Sequence, residues 1–235
     1  MITNNSKIKN LKQPNPKGFL IDLVIYLAAM FLIREVYVPK VGFIANGLFW
    51  SLTTLIVASW RMKVRGVTWK DLGLRKPKNL LKTVGISVLI FVVVLISLIT
   101  FEIVKDSLPF SIAANTSAET AISKFGALKD NWPHFFLIIP FILLESMLEE
   151  LLDRGFLMNW LERLFSKTSF ATVLAVLLQA AIFGFRHSYD LSARSITVAI
   201  IGLIMGIAYI KFGRNLWPLI IAHCLLNTMS MIDRV

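Results

Sequence analysis

The chain has 235 residues, 56% of them hydrophobic and only 17% charged, with a net charge of +11. Soluble domains average about 45–50% apolar and about 25% charged residues, and a soluble globule of this length could not hide the excess without large exposed apolar patches. A soluble single domain is therefore excluded, and the lone cysteine, Cys224, excludes a disulfide-built secreted domain.

A membrane-spanning helix needs about 20 mostly apolar residues. Seven stretches approach this: 19–33, 42–60, 84–104, 134–152, 168–186, 195–212 and 214–232. The first is short and contains Asp22, which predicts a tilted span or one that borrows flanking residues. The third, through Val92-Val93-Val94, is the plainest. No small-residue cleavage site follows the first apolar run, so a cleaved signal peptide is not expected. The predicted fold is an all-α, polytopic membrane helix bundle of about seven or eight transmembrane helices. Residues 1–133 would form the N-terminal helices, and 134–235 a four-helix catalytic core.

Charge orients these spans. Residues 1–18 carry Lys7, Lys9, Lys12 and Lys17 without an acid, and 61–83 carry eight basic residues against Asp71 alone. By contrast, 105–133 balances Lys105, Lys124 and Lys129 with Asp106, Glu119 and Asp130. The positive-inside rule assigns the first two regions to the cytoplasm and the third to the outside. The expected location is a bacterial cell membrane, with the N-terminus cytoplasmic. Topology accounts for the positive charge, so nucleic acid is not an expected partner. The 61–83 loop interleaves Trp69, Leu72, Leu74, Leu80 and Leu81 with its cations, which predicts that it lies on the anionic inner leaflet.

Ionisable side chains inside a span are costly and mark functional sites. They concentrate in the last hundred residues. Glu145 and Glu149 lie four apart on one helix face, and Glu150 and Arg154 are spaced for an ion pair. Phe183 precedes His187 by one turn, and His223 precedes Asn227 by one turn. Singly, such residues also serve as interfacial groups or as hydrogen bonds between helices. Together they suit chemistry on water: a carboxylate base, an imidazole to orient it, and donors for an oxyanion. His134, beside Trp132 and Pro133, reads as interfacial, and Cys224 as packing.

These motifs resemble the CAAX protease and bacteriocin-processing family, also called the Abi family, which includes the type II CAAX prenyl endopeptidases. Its paired glutamates, three residues and an arginine match Glu149-Glu150 and Arg154; its phenylalanine, three residues and a histidine match Phe183 and His187. Its histidine, three residues and an asparagine match His223 and Asn227. Trp69-Lys70-Asp71-Leu72-Gly73-Leu74 is similar to its upstream region. One position departs: the residue before the motif arginine is commonly aromatic in the family and here is Asp153, a possible competitor for Arg154.

The resemblance implies an intramembrane endopeptidase that cleaves a peptide or protein substrate at the lipid bilayer. Glu149 and His187 would activate water, and Glu150 and Arg154 would hold the site by pairing. His223 and Asn227 would stabilise the oxyanion, Phe183 would pack beside the site, and Glu145 would help shape the cavity. No cofactor is expected, with zinc or another divalent ion on Glu149, His187 and His223 as an alternative. The motifs of zinc, rhomboid-like serine and presenilin-type aspartyl intramembrane proteases are absent. A non-proteolytic scaffold or bacteriocin-immunity protein on the same fold is the competing reading.

A depth count sets a difficulty. Glu149 lies about 22 Å along a helix from His134 at about 1.5 Å per residue, whereas alternation places His187 at the level of His134. Their meeting requires either a later helix start, with a break at Pro140, or a dip of the 187–194 loop into the bundle.

Overall fold

The computed structural model describes residues 16–107 and 124–235. Lys7, Lys9, Lys12 and Glu119, used above to orient the chain, lie outside these residues. Among the described residues there is no strand; the chain is a bundle of helices that traverse it in alternating directions. In order they are α1 (Pro16–Leu32), α2 (Gly42–Val64), α3 (Leu80–Val104), α4 (Trp132–Glu150), a π-helical segment (Leu151–Leu157), α5 (Met158–Leu164), α6 (Ala171–Ser188), α7 (Ala193–Lys211) and α8 (Trp217–Ile232). Including short flanking turns, Pro16–Glu35, Pro39–Val64, Leu80–Ser107, Ala171–Ser188 and Ala193–Lys211 are long and apolar enough to cross a membrane. Leu81, Ile56 and Ile103 are 86%, 69% and 72% exposed, an outer surface suited to lipid rather than water.

Local chemistry sets the helix ends. Asn79 Oδ1 accepts the Lys82 amide (2.9 Å) to cap α3, and Asn131 Oδ1 accepts the His134 amide (3.1 Å) to cap α4. Pro133 occupies the first turn of α4, where a missing N–H costs nothing. Asp22 is not a weakness in α1. Fully buried, it accepts Arg61 Nη2 (2.5 Å), Arg65 Nε (2.7 Å) and Trp160 Nε1 (3.1 Å), so one carboxylate ties α1 to α2 and α5. Tyr26 packs at a tilt against Phe156, which stacks on Trp160, with ring centroids 4.6 and 4.2 Å apart.

Small residues bring α6 and α7 together. A Cβ added at Gly184 would lie 2.4 Å from the Ser195 carbonyl oxygen, and one at Gly202 would lie 3.1 Å from Ala180 Cα. Lipid offers no hydrophobic drive between helices, so such close backbone approach is what holds them.

Two expectations are corrected. The first concerns the basic loop. Leu72 is buried, its carbonyl accepts Tyr209 Oη–H (2.7 Å), and the Gly73 carbonyl accepts the Leu216 amide (3.1 Å). Trp69 packs against Gly155 and donates to Ser59 Oγ (3.2 Å). This part of the loop finds an apolar groove in the protein instead of the leaflet. Asp71 holds the turn by accepting the Thr68 hydroxyl (2.6 Å) and amide (2.9 Å), which keep its carboxyl below the ordinary carboxylate range. Arg75, Lys76, Lys78, Leu80 and Leu81 stay exposed.

The second concerns depth. Neither a later start nor a dipping loop brings Glu149 to His187. The helix runs through Pro140 and on past 152, through the π segment, to Leu164. The turn to α6 therefore follows Leu164. Glu149 lies 15 residues before it and His187 lies 16 residues after Ala171, so both sit about 22–24 Å from that turn.

Candidate active site

Glu149 and Glu150 are the last two residues of α4, and Arg154 falls within the π segment. In that segment backbone N–H groups reach five residues back, as from Met158 to Asp153, and the side-chain amide of Asn159 donates to the Arg154 (3.0 Å) and Gly155 (2.8 Å) carbonyls. Such π turns recur at functional sites.

Glu149, Glu150, Arg154 and His223 are buried. Glu150 Oε1 accepts Arg154 Nη1 (2.9 Å) and His223 Nδ1 (2.8 Å), so the predicted Glu150–Arg154 pair forms and also fixes the His223 ring. His187 Nδ1 lies 2.6 Å from the Phe183 carbonyl. Both partners are acceptors, which places a proton on Nδ1 of each ring and turns Nε2 inward. The two Nε2 atoms flank one carboxylate: His187 Nε2 is 3.5 Å from Glu149 Oε1, and His223 Nε2 is 3.6 Å from Glu149 Oε2. These separations exceed direct hydrogen bonds and are too short for a water between the atoms, so a water within reach of both groups would sit beside them on the cavity side.

Phe183 supports the centre from below. The Arg154 guanidinium carbon lies 4.4 Å from its ring centroid, and the His187 ring centroid lies 4.6 Å away. Asn227 Nδ2 donates to Ser146 Oγ (2.8 Å), which donates to the Ile142 carbonyl (2.9 Å). Glu145 Oε1 accepts Ser51 Oγ–H from α2. Glu145, Glu149, Phe183, His187, His223 and Asn227 line one cavity of about 780 Å³; Glu150 and Arg154 sit behind it.

Arg186, to which sequence reading gave no role, is part of the centre. Its Nη2 donates to Asp153 Oδ2 (2.6 Å) and to Glu149 Oε1 (3.2 Å). Asp153 thus does not compete for Arg154; it partners Arg186. The signals were present in an aspartate at a position where the family commonly has an aromatic residue and a buried arginine beside the motif histidine. Arg34, on the far side, donates to the Arg186 carbonyl (3.0 Å) and ties the end of α1 to that of α6. Among the described residues no group of three or more His, Cys, Asp or Glu is arranged to hold a metal ion, and no metal ligand set is assigned.

An all-α membrane bundle with a carboxylate between two imidazoles in a cavity defines the class: a polytopic membrane protein with an ionisable cluster in its interior. Residues 131–229, from the cap of α4 into α8, match the family described as type II CAAX prenyl endopeptidase Rce1-like. The match covers under half of the chain. No curated protein and no solved structure matches the chain.

Proposed function

We propose that the protein is an intramembrane endopeptidase in which Glu149, assisted by His187, takes a proton from a water that attacks a peptide carbonyl and passes that proton to the departing amine as the C–N bond breaks. The observation that carries this reading is the Glu149 carboxylate between the two Nε2 atoms, at 3.5 and 3.6 Å, facing a cavity large enough for peptide. A general base needs its acceptor within reach of the water, directly or through tightening on substrate binding. His223, acting as an imidazolium with Nδ1–H on Glu150 and Nε2–H toward the cavity, and Asn227, fixed through Ser146, are the donors for the developing oxyanion. Preorganised donors of this kind contribute about 3–4 kcal/mol each to the transition state. Arg154 and Glu150 hold the His223 ring, and Phe183 carries the helix that presents His187.

The reading uses no metal. With substrate in hand, Glu149→Gln and His187→Ala should each reduce cleavage by at least about 100-fold while membrane abundance stays at the wild-type level. A chelator should leave the wild-type rate unchanged, and loss of activity on chelation with recovery on zinc would assign a metal role to the same residues. Variants that keep the cellular phenotype without cleavage would favour the scaffold reading.

A further inference from the structure

We infer that the cavity opens on the extracytoplasmic face of the membrane, opposite the basic 61–82 segment, and that its substrate is a peptide segment presented from that side. The inference rests on the protease reading for the word substrate, but the direction of the opening stands on geometry and charge alone.

The alternating helices divide the described residues into two ends. One end gathers the start of α1, the α2–α3 connection, the α5–α6 turn and the α7–α8 turn. It is cross-tied by Arg214 to Glu162 (2.7 Å), by Thr172 to Glu162 (2.5 Å) and by Leu216 to Gly73 (3.1 Å). The other end gathers the α1–α2 connection, the end of α3, the start of α4, the α6–α7 turn and the end of α8. Phe43 against Phe125 (5.9 Å) and the Asp130 amide on the Val235 carbonyl (2.7 Å) tie it together.

Lysine and arginine are distributed unequally between these ends. Segments 16–18, 61–82, 162–171 and 211–215 hold thirteen basic residues and two acids; segments 33–42, 102–107, 124–131, 189–194 and 230–235 hold seven basic residues and six acids. The remaining described cations, Arg154 and Arg186, are in the centre. A bias of this size orients the whole bundle, with the basic end in the cytoplasm. From Glu149 the cavity runs to a rim that includes Arg34, Lys124, Asp190 and Arg234, all at the less basic end. At the basic end the bundle is closed by Leu72, Leu216 and the aromatic stack of Phe156 and Trp160, which are buried. Substrate therefore reaches Glu149 from the less basic end.

The test is labelling of single cysteines in the full chain with a membrane-impermeant maleimide. Cys224→Ser removes the one native thiol. Into that background go Lys40→Cys at the rim end and Lys78→Cys at the basic end, both exposed and outside the site. In intact cells Lys40→Cys should be labelled and Lys78→Cys should not, until the membrane is permeabilised. Labelling of Lys78→Cys in intact cells, or protection of Lys40→Cys, overturns the inference. Neither result depends on proteolysis, so an inactive but correctly labelled protein would sink only the enzymatic reading.

Discussion

Glu149 is one of several charges that the bundle places in its interior, and each has a specific partner. Asp153 and Arg186 are the pair whose removal is most diagnostic. Both are buried, and Arg186 also touches Glu149. Replacing Arg186 leaves Asp153 charged and without its cation, at a cost of about 3–5 kcal/mol, and removing Asp153 as well relieves that part of the penalty while Glu149 still lacks Arg186. Arg186→Leu should therefore lower the thermal midpoint in detergent well below wild type, and Arg186→Leu with Asp153→Leu should recover part of the loss. Additive losses in that double-mutant cycle would contradict the pairing. The acids and imidazoles of the centre are legible in sequence because an ionisable residue in an apolar run has no cheap alternative to a function. Arg186 is not, because its neighbour His187 already explains the local polarity. Whether Asp153 turns to Arg154 or to Arg186 depends on the geometry of the helix around it, not on spacing.

At the scale of elements, two features deliver these side chains: a long helix interrupted by a π segment, and a close α6–α7 pair. The first was only partly legible. Apolar periodicity gives the start of α4 but no stop, since the buried run 151–161 reads as one more stretch of core. Ending the span at 152 created the apparent mismatch in depth, and its continuation to Leu164 removes it. The second feature can be tested directly. Gly202 faces Ala180 and Phe183, the residue that supports His187, and a Cβ there lies 3.2 Å from Phe183 Cδ1. Gly202→Leu should cost about 1–3 kcal/mol by overpacking and should reduce any activity through Phe183. Gly85→Leu is the control, because nothing lies within 4 Å of its added Cβ. Equal thermal midpoints for the two variants would show that α6 and α7 do not need the close approach.

The whole molecule separates its charges into those that set its orientation and those that do chemistry. Membrane class, helix order and the all-α fold follow from composition and apolar runs, because a bilayer leaves few solutions for the backbone. The face on which the cavity opens did not follow from them, since it requires knowing that Glu149 and His187 meet at one depth and that Leu72 and Leu216 close the other end. The central claim is that Glu149 drives peptide hydrolysis. It is tested most directly by mass spectrometry of the peptides released from cells carrying wild type or Glu149→Gln at matched membrane abundance. The account predicts a set of peptides present only with wild type, with new termini on the side opposite the basic loop; identical peptide sets from the two strains would contradict it.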